Sequence, residues 1–284
     1  MHDPGAQRIF VFVLIDGLSM MSLASALEPL RSANRLLRRP FYRWHLASLD
    51  GVMTRASNGI ELATEPLEPL LAEAHYVFVC GGLRIQTPDE RRFLAALRRA
   101  ARRGIVIGSL STGTYLLARA GLLGGYRCTI HWENRPAFEE QFPDLSCTGK
   151  IYEADRDRMT CSGGTAAMDL MLHMIAEQHG PELARGVANQ FHHERIRDEG
   201  EDQRGGRDQS LANLPRSLRS AVELMRANIE EPLSIEEISE RVGLTARQVE
   251  RLFLRYLGMT PGRHYLTLRL ERARELLLYS DVSI

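Results

Sequence analysis

Residues 105–120, IVIGSLSTGTYLLARA, decide the fold. A strand predicted over 105–109, opened by the β-branched run Ile105-Val106-Ile107, leads to a turn of small residues, Ser111-Thr112-Gly113, and an apolar stretch of helical length follows over 114–120. A strand leading through a tight turn into a helix is half of a βαβ unit, and the same alternation spreads outward in both directions. Further strands are predicted at 9–15, 44–49, 76–80 and 159–161. Between the first two, Leu23, Ala26, Leu27, Leu30, Ala33 and Leu37 recur at helical spacing, and residues 89–102 form an amphipathic helix with Phe93, Leu94 and Leu97 turned inward. The alternation predicts an α/β fold, a doubly wound parallel sheet with helices on both faces.

The 284 residues are enough for two domains, and 44% hydrophobic with 25% charged residues is the composition of a folded globular chain. Acidic and basic residues balance at 36 each, so no overall field draws the chain to nucleic acid, and any DNA contact must come from local placement. Lys150 is the single lysine; the arginine excess suits forked contacts and also fits genome composition. Cysteines 80, 128, 147 and 161 show neither metal spacing nor a disulfide framework, so no metal and no cofactor is expected, and a cytoplasmic location is. The apolar run 9–15 is too short to span a bilayer and reads as a buried strand; no membrane contact is expected.

Residues 198–210, DEGEDQRGGRDQS, contain no apolar side chain and read as a linker. The predicted division is a domain over 1–197, a polar linker over 198–213 and a helical segment over 214–284. In the last of these, Ser234 three residues before Glu237 forms a capping box that opens a short helix. Gly243 supplies a turn, Thr245 a second cap, and a helix starts at Ala246 with the apolar stripe Val249, Leu252, Phe253 and Tyr256. Arg247, Gln248, Glu250, Arg251 and Arg255 fall on its outer side. From residue 213 onward eleven arginines stand against ten carboxylates, so on helix pattern alone a plain helical hairpin and a DNA-reading helix-turn-helix remain equal readings.

Residues 233–277, LSIEEISERVGLTARQVERLFLRYLGMTPGRHYLTLRLERARELL, resemble the first helix-turn-helix and linker helix of AraC-type regulators. The resemblance implies promoter DNA as a partner, a recognition helix from Ala246 to Arg255, base contacts by Arg247, Gln248 and Arg251, and Arg255 nearer the phosphates. Ser280 to Ile284 resembles the opening of a second such unit, so the DNA-binding domain is expected to be partial, by truncation or a disordered end.

Ser111 sits where a strand-to-helix turn can hold a nucleophile, but Ser109 breaks the G-x-S-x-G spacing. His131 and Glu28 are an available base and carboxylate. The stretches 28–34 (EPLRSAN), 80–82 (CGG), 111–113 (STG), 120–123 (AGLL), 129–132 (TIHW) and 161–166 (CSGGTA) resemble the flavodoxin-like domain shared by class I glutamine amidotransferases, DJ-1/PfpI proteins and amidotransferase-like AraC regulators. The enzymes carry a cysteine where this chain has Ser111, and a hydroxyl is a far weaker nucleophile than a thiolate. The resemblance implies no catalytic residues, but a retired active site used as a ligand pocket, with Glu28, Gly81, Gly82, Ser111, Thr112, His131 and Trp132 around it and the Gly81-Gly82 amides facing the ligand. Segments 24–30, 131–134 and 193–197 resemble the subgroup controlling catabolism of glycine betaine, carnitine and related quaternary amines. They imply a carboxylate-bearing amine as effector, a homodimer and activation of transcription. The alternative is a serine-based amidase or glyoxalase-like enzyme centred on Ser111.

Overall fold

Along β1 (Arg8–Leu14) Phe10, Phe12 and Leu14 belong to one core while Val11 and Val13 belong to another, and all five are buried. Burial on both faces explains why the run shows no polar alternation. The computed structural model describes residues 7–83, 85–87, 89–203 and 214–279. The chain divides into two compact units, the first ending at Gln203.

In the first unit β1 pairs in parallel with β2 (Tyr42–Ser48) on one side and β6 (Tyr76–Cys80) on the other, in the register Phe12 to Leu46 and Phe12 to Phe78. Beyond β6 lie β7 (Val106–Leu110) and β11 (Arg158–Cys161), both parallel, then β10 (Tyr152–Asp155), antiparallel. With β5 (Glu65–Pro66) at the other edge the order is β10-β11-β7-β6-β1-β2-β5. Two small ribbons, β3 (Thr54–Arg55) with β4 (Glu61–Leu62) and β8 (Arg127–Thr129) with β9 (Ser146–Thr148), are too short to leave a sequence pattern and were not predicted. The chain leaves β1 toward β2 and returns to β6, so the strand order reverses beside β1, where doubly wound sheets form a crevice at their carboxyl ends.

One face is covered by α1 (Met20–Leu37), α6 (Ala166–His179) and α7 (Pro181–Gln190), packed on the stacked rings of Phe10, Phe12 and Phe78. The other carries α3 (Glu90–Arg102), α4 (Thr114–Arg119) and the shorter α2 (Leu67–Leu70) and α5 (Arg135–Gln141) over Val11, Val13, Val77, Val79 and Ile107. Leu23, Ala26, Leu30 and Ala33 are buried on α1, and Phe93, Leu94 and Leu97 on α3, as their periodicity requires.

The polar run that begins at Asp198 does not start as a free linker. The Ile151 amide donates to the Glu201 carbonyl, Lys150 pairs with Asp202, and the Gln203 side-chain amide donates to Thr129 Oγ1 and to the carbonyls of Ile130 and Lys150. Polar side chains dock this segment by hydrogen bonds, a mode that an apolar-pattern reading does not register. Residues 204–213 of the predicted linker lie outside the described residues.

The second unit contains α8 (Arg216–Ala227), α9 (Ile235–Arg241), α10 (Ala246–Leu257) and α11 (Pro261–Tyr279). Leu218, Val222, Met225, Ile238, Val249, Phe253 and Tyr265 form its core. Residues 280–284, which suggest a second helix-turn-helix, lie outside the described residues.

Candidate functional site

The strand β7 ends at Leu110, and Ser111 turns the chain with φ 58°, a left-handed value for a residue with a side chain. A single turn of 3-10 helix, Ser111–Gly113, leads into α4. Close approach of two other loops sustains this conformation. A Cβ on Gly81 would lie 2.4 Å from the Gly113 amide nitrogen and 2.5 Å from Thr112 Oγ1, and one on Gly163 would lie 2.8 Å from Ser111 Cβ. Only glycine fits at either place. The Thr112 hydroxyl donates to the Gly82 carbonyl at 2.8 Å, and Thr114 Oγ1 donates to the Thr129 carbonyl at 2.9 Å, which ties the elbow to β8. Gly81, Gly82, Ser111 and Thr112 therefore form one knot at the carboxyl ends of β6 and β7.

The amide donors differ from expectation. Gly81 N–H donates to the Leu110 carbonyl, so it continues the sheet instead of facing the crevice. The thiol of Cys161, fully buried beneath the elbow, accepts from the Gly163 amide at 3.3 Å and is also bonded by the Ser111 amide. Burial outweighs these two donors and the thiol is pushed up to about 12, so it stays protonated at neutral pH. Cys80 is likewise raised by burial, with Cys161 adding to the shift.

Glu28 lies on α1 with its carboxylate paired to Arg31 at 2.6 Å and 44% of its side chain exposed. From α1, Ser22 reaches the loop that packs against the elbow: its Oγ accepts from the Gly164 amide at 2.7 Å. His131 follows β8, its ring 5.6 Å from that of Trp132 and Nδ1 3.9 Å from Glu133. Burial lowers its pKa against the opposing pull of Glu133, which favours the neutral ring. Among the described residues no hydrogen bond joins the Ser111 hydroxyl to His131 or Glu28.

One polar centre escaped the sequence reading. Asp169, in the otherwise apolar first half of α6, is fully buried and accepts from His193 Nε2 at 2.8 Å, from the Arg197 amide at 2.8 Å and from the Arg197 guanidinium at 3.0 and 2.7 Å. Arg197 also donates to Thr165 Oγ1, at the start of the helix that follows Gly163 and Gly164. A lone aspartate among Ala, Met and Leu was the available signal, since a buried carboxylate requires partners.

In the second unit both capping boxes form: Ser234 with Glu237, and Thr245 with Gln248. Gly243 and Gly258, at φ 72° and 68°, close the two turns. Arg247, Arg251 and Arg255 stand four residues apart on α10, exposed, with no ion-pair partner among the described residues. Gln248 is exposed, and its Oε1 accepts from the Thr245 amide at 2.8 Å, so it takes part in the cap. Tyr256 departs from its expected role: it is 42% exposed, with the Arg255 guanidinium 5.5 Å from its ring, while Val249 and Phe253 carry the buried stripe.

The chain matches the DJ-1/PfpI family over residues 8–177 and a helix-turn-helix domain over residues 238–284. An α/β domain with this elbow, followed by a helix-turn-helix, defines a class of two-domain regulators. The chain belongs to the AraC-type transcription regulators with a DJ-1/PfpI domain. It is 44% identical over 273 residues to the HTH-type transcriptional regulator GbdR of Pseudomonas aeruginosa, covering 96% of this chain and 74% of that protein. It is 43% identical over 279 residues to the regulator CdhR of the same species, covering 97% and 82%. The crystal structure of an AraC family transcriptional regulator from Pseudomonas putida superimposes with a TM-score of 0.60 at 35% identity, over 65% of this chain and 99% of that one. Among the described residues no helix is long and apolar enough to cross a membrane.

Proposed function

We propose that this chain binds promoter DNA through α9 and α10 and senses a small carboxylate-bearing amine in the crevice around Ser111, without turning it over. Arg247, Arg251 and Arg255 carry the DNA half of the reading: three exposed guanidiniums in one row, without an ion-pair partner among the described residues, suit a charged partner from outside. Arg251 and Arg247 read base edges, and Arg255 contacts phosphate.

For the ligand, the hydroxyls of Ser111 and Ser22 donate to the carboxylate, and the Trp132 face takes the cationic end, since quaternary ammonium groups favour aromatic faces. Glycine betaine, carnitine and arginine are the ligands to try first. Binding shifts how two protomers present their helix-turn-helix units and activates transcription in the cytoplasm; a coupling of about 1–3 kcal/mol is sufficient.

Two measurements test the reading. Arg251→Ala weakens promoter binding by about 1–3 kcal/mol in fluorescence anisotropy, at particular base pairs and not uniformly. Thermal-shift screening with the three amines gives a specific stabilisation and no product. Turnover that disappears in Ser111→Ala transfers the crevice to the enzymes.

A further inference from the structure

Residues 197–203, which close the α/β unit, contain no apolar side chain and are held by polar contacts at both ends. The first end is a firm anchor. Arg197 donates to the buried Asp169 carboxylate from its amide at 2.8 Å and from its guanidinium at 3.0 and 2.7 Å, and also to Thr165 Oγ1 at 2.8 Å. Thr165 follows the Gly163-Gly164 loop, which packs on Ser111 and donates to Ser22.

The far end lies against the opposite side of the crevice. Gln203 Nε2 lies 2.8 Å from the Ile130 carbonyl, 3.0 Å from Thr129 Oγ1 and 2.9 Å from the Lys150 carbonyl. Ile130 immediately precedes His131 and Trp132, and the Thr129 carbonyl accepts from Thr114 at the start of the helix behind the elbow. The Ile151 amide donates to the Glu201 carbonyl at 2.9 Å and the Gln203 amide to the Gly149 carbonyl at 3.0 Å. Gln203 Oε1 is buried with no hydrogen-bond partner among the described residues. Water satisfies that oxygen once the side chain leaves, which offsets part of the loss of its N–H bonds. Breaking the Asp169 end strands a buried charge, whereas the Gln203 end opens at small net cost while the sheet stays folded.

We propose that Gln203 is a latch whose docking is coupled to the state of the Ser111 crevice, an inference that rests on the reading of that crevice as a ligand site. The strap joins the two walls, Gly163-Gly164 through Arg197 and His131-Trp132 through Gln203. A molecule bound between Ser22, Ser111 and Trp132 holds the walls at the spacing the strap spans, so the latch stays closed. With the walls free to move apart, Gln203 lets go and residues 198–203 leave the surface. The chain running on to the helix-turn-helix unit then gains up to about 20 Å of extended reach.

Amide hydrogen exchange of the full chain, followed by NMR without ligand, tests the coupling from both sides. Gln203→Ala, which removes the latch, speeds exchange at the Ile151 and Asn134 amides by about three- to tenfold, the factor one lost hydrogen bond carries. Ser22→Ala, made on the crevice side, speeds exchange at the Arg197 and Ile151 amides by a similar factor. Val11, in the centre of the sheet, stays as slow as before in both. Changes confined to the mutated side in either variant, or a rise shared equally by Val11, overturn the proposal. Glycine betaine, carnitine and arginine are then added separately: a compound that gives a thermal shift slows Ile151 exchange in the wild-type chain and binds Gln203→Ala more weakly, as reciprocity requires. A thermal shift with Ile151 exchange unchanged also overturns the latch. No thermal shift from any of the three counts against the sensing reading, and the ligand-free comparison still decides the latch.

Discussion

Two clusters of charge in this molecule are arranged in opposite ways. In the α/β unit Asp169 is fully buried and its bonds run inward, to His193 and Arg197. In the helical unit Arg247, Arg251 and Arg255 stand in solvent, with no ion-pair partner among the described residues. Where the partners are internal, a charge organises the fold and its loss appears as instability; where they are external, its loss appears as weaker binding with the fold intact.

Asp169→Ala presses this contrast hardest. It leaves Arg197 and His193 beside an empty carboxylate site, and about 3 kcal/mol of stability is lost, the low end for breaking a buried pair because Arg197 is partly exposed. The readout is urea unfolding followed by fluorescence, for which both tryptophans, Trp44 and Trp132, lie in the α/β unit. A change in DNA affinity with no change in that transition breaks the comparison. Gly81→Ala comes next. The added methyl meets backbone at Gly113, costs about 1–3 kcal/mol by overpacking and, by displacing the elbow, removes the thermal shift produced by the crevice ligand. Thr245→Ala, smaller again, removes the cap of α10 and lowers the stability of the helical unit by about 1 kcal/mol in far-ultraviolet dichroism, while the tryptophan transition stays where it was.

The smallest effect is pH-dependent. His131, His179 and His264 all have lowered pKa values, chiefly because burial opposes the charged ring; Glu133 and Glu271 oppose the shift at His131 and His264, while Arg39 and Arg226 reinforce it at His179 and His264. A folded value below the ordinary 6.5 means that the unfolded chain takes up protons first. The stability these rings contribute is therefore present above pH 6.5 and is lost as the pH falls through their folded values. The urea midpoint is expected to drop on acidification below 6.5, and His179→Phe to flatten part of that slope. A midpoint that rises instead contradicts the burial of these rings.

The sheet was legible because its strands are buried on both faces and its helices on one. Phe10 to Leu14, Tyr76 to Cys80 and the α3 stripe at Phe93, Leu94 and Leu97 are all patterns that burial imposes directly. The site was legible only in part. Gly81, Gly82, Ser111 and Thr112 do come together, but the commitment of the Gly81 amide to Leu110 and the pairing of Glu28 with Arg31 depend on neighbours that sequence distance conceals. Ser22, 89 positions before Ser111, reaches the elbow through Gly164, and nothing in its own neighbourhood marks it. Gln248 was visible as polar and outward, and its position three residues after Thr245 also makes it a capping partner.

The sequence by itself determined the alternation of strands and helices, the two capped helices near its end and the row of arginines on the second, because period, cap and turn chemistry act over a few residues. Tertiary structure alone decided which loops crowd Ser111, that Asp169 holds residues 193–197, and that Gln203 reaches the carbonyl before His131. Those outcomes depend on groups brought together by packing across the sheet, where steric fit and the cost of an unpaired buried charge, and not local propensity, select the partner.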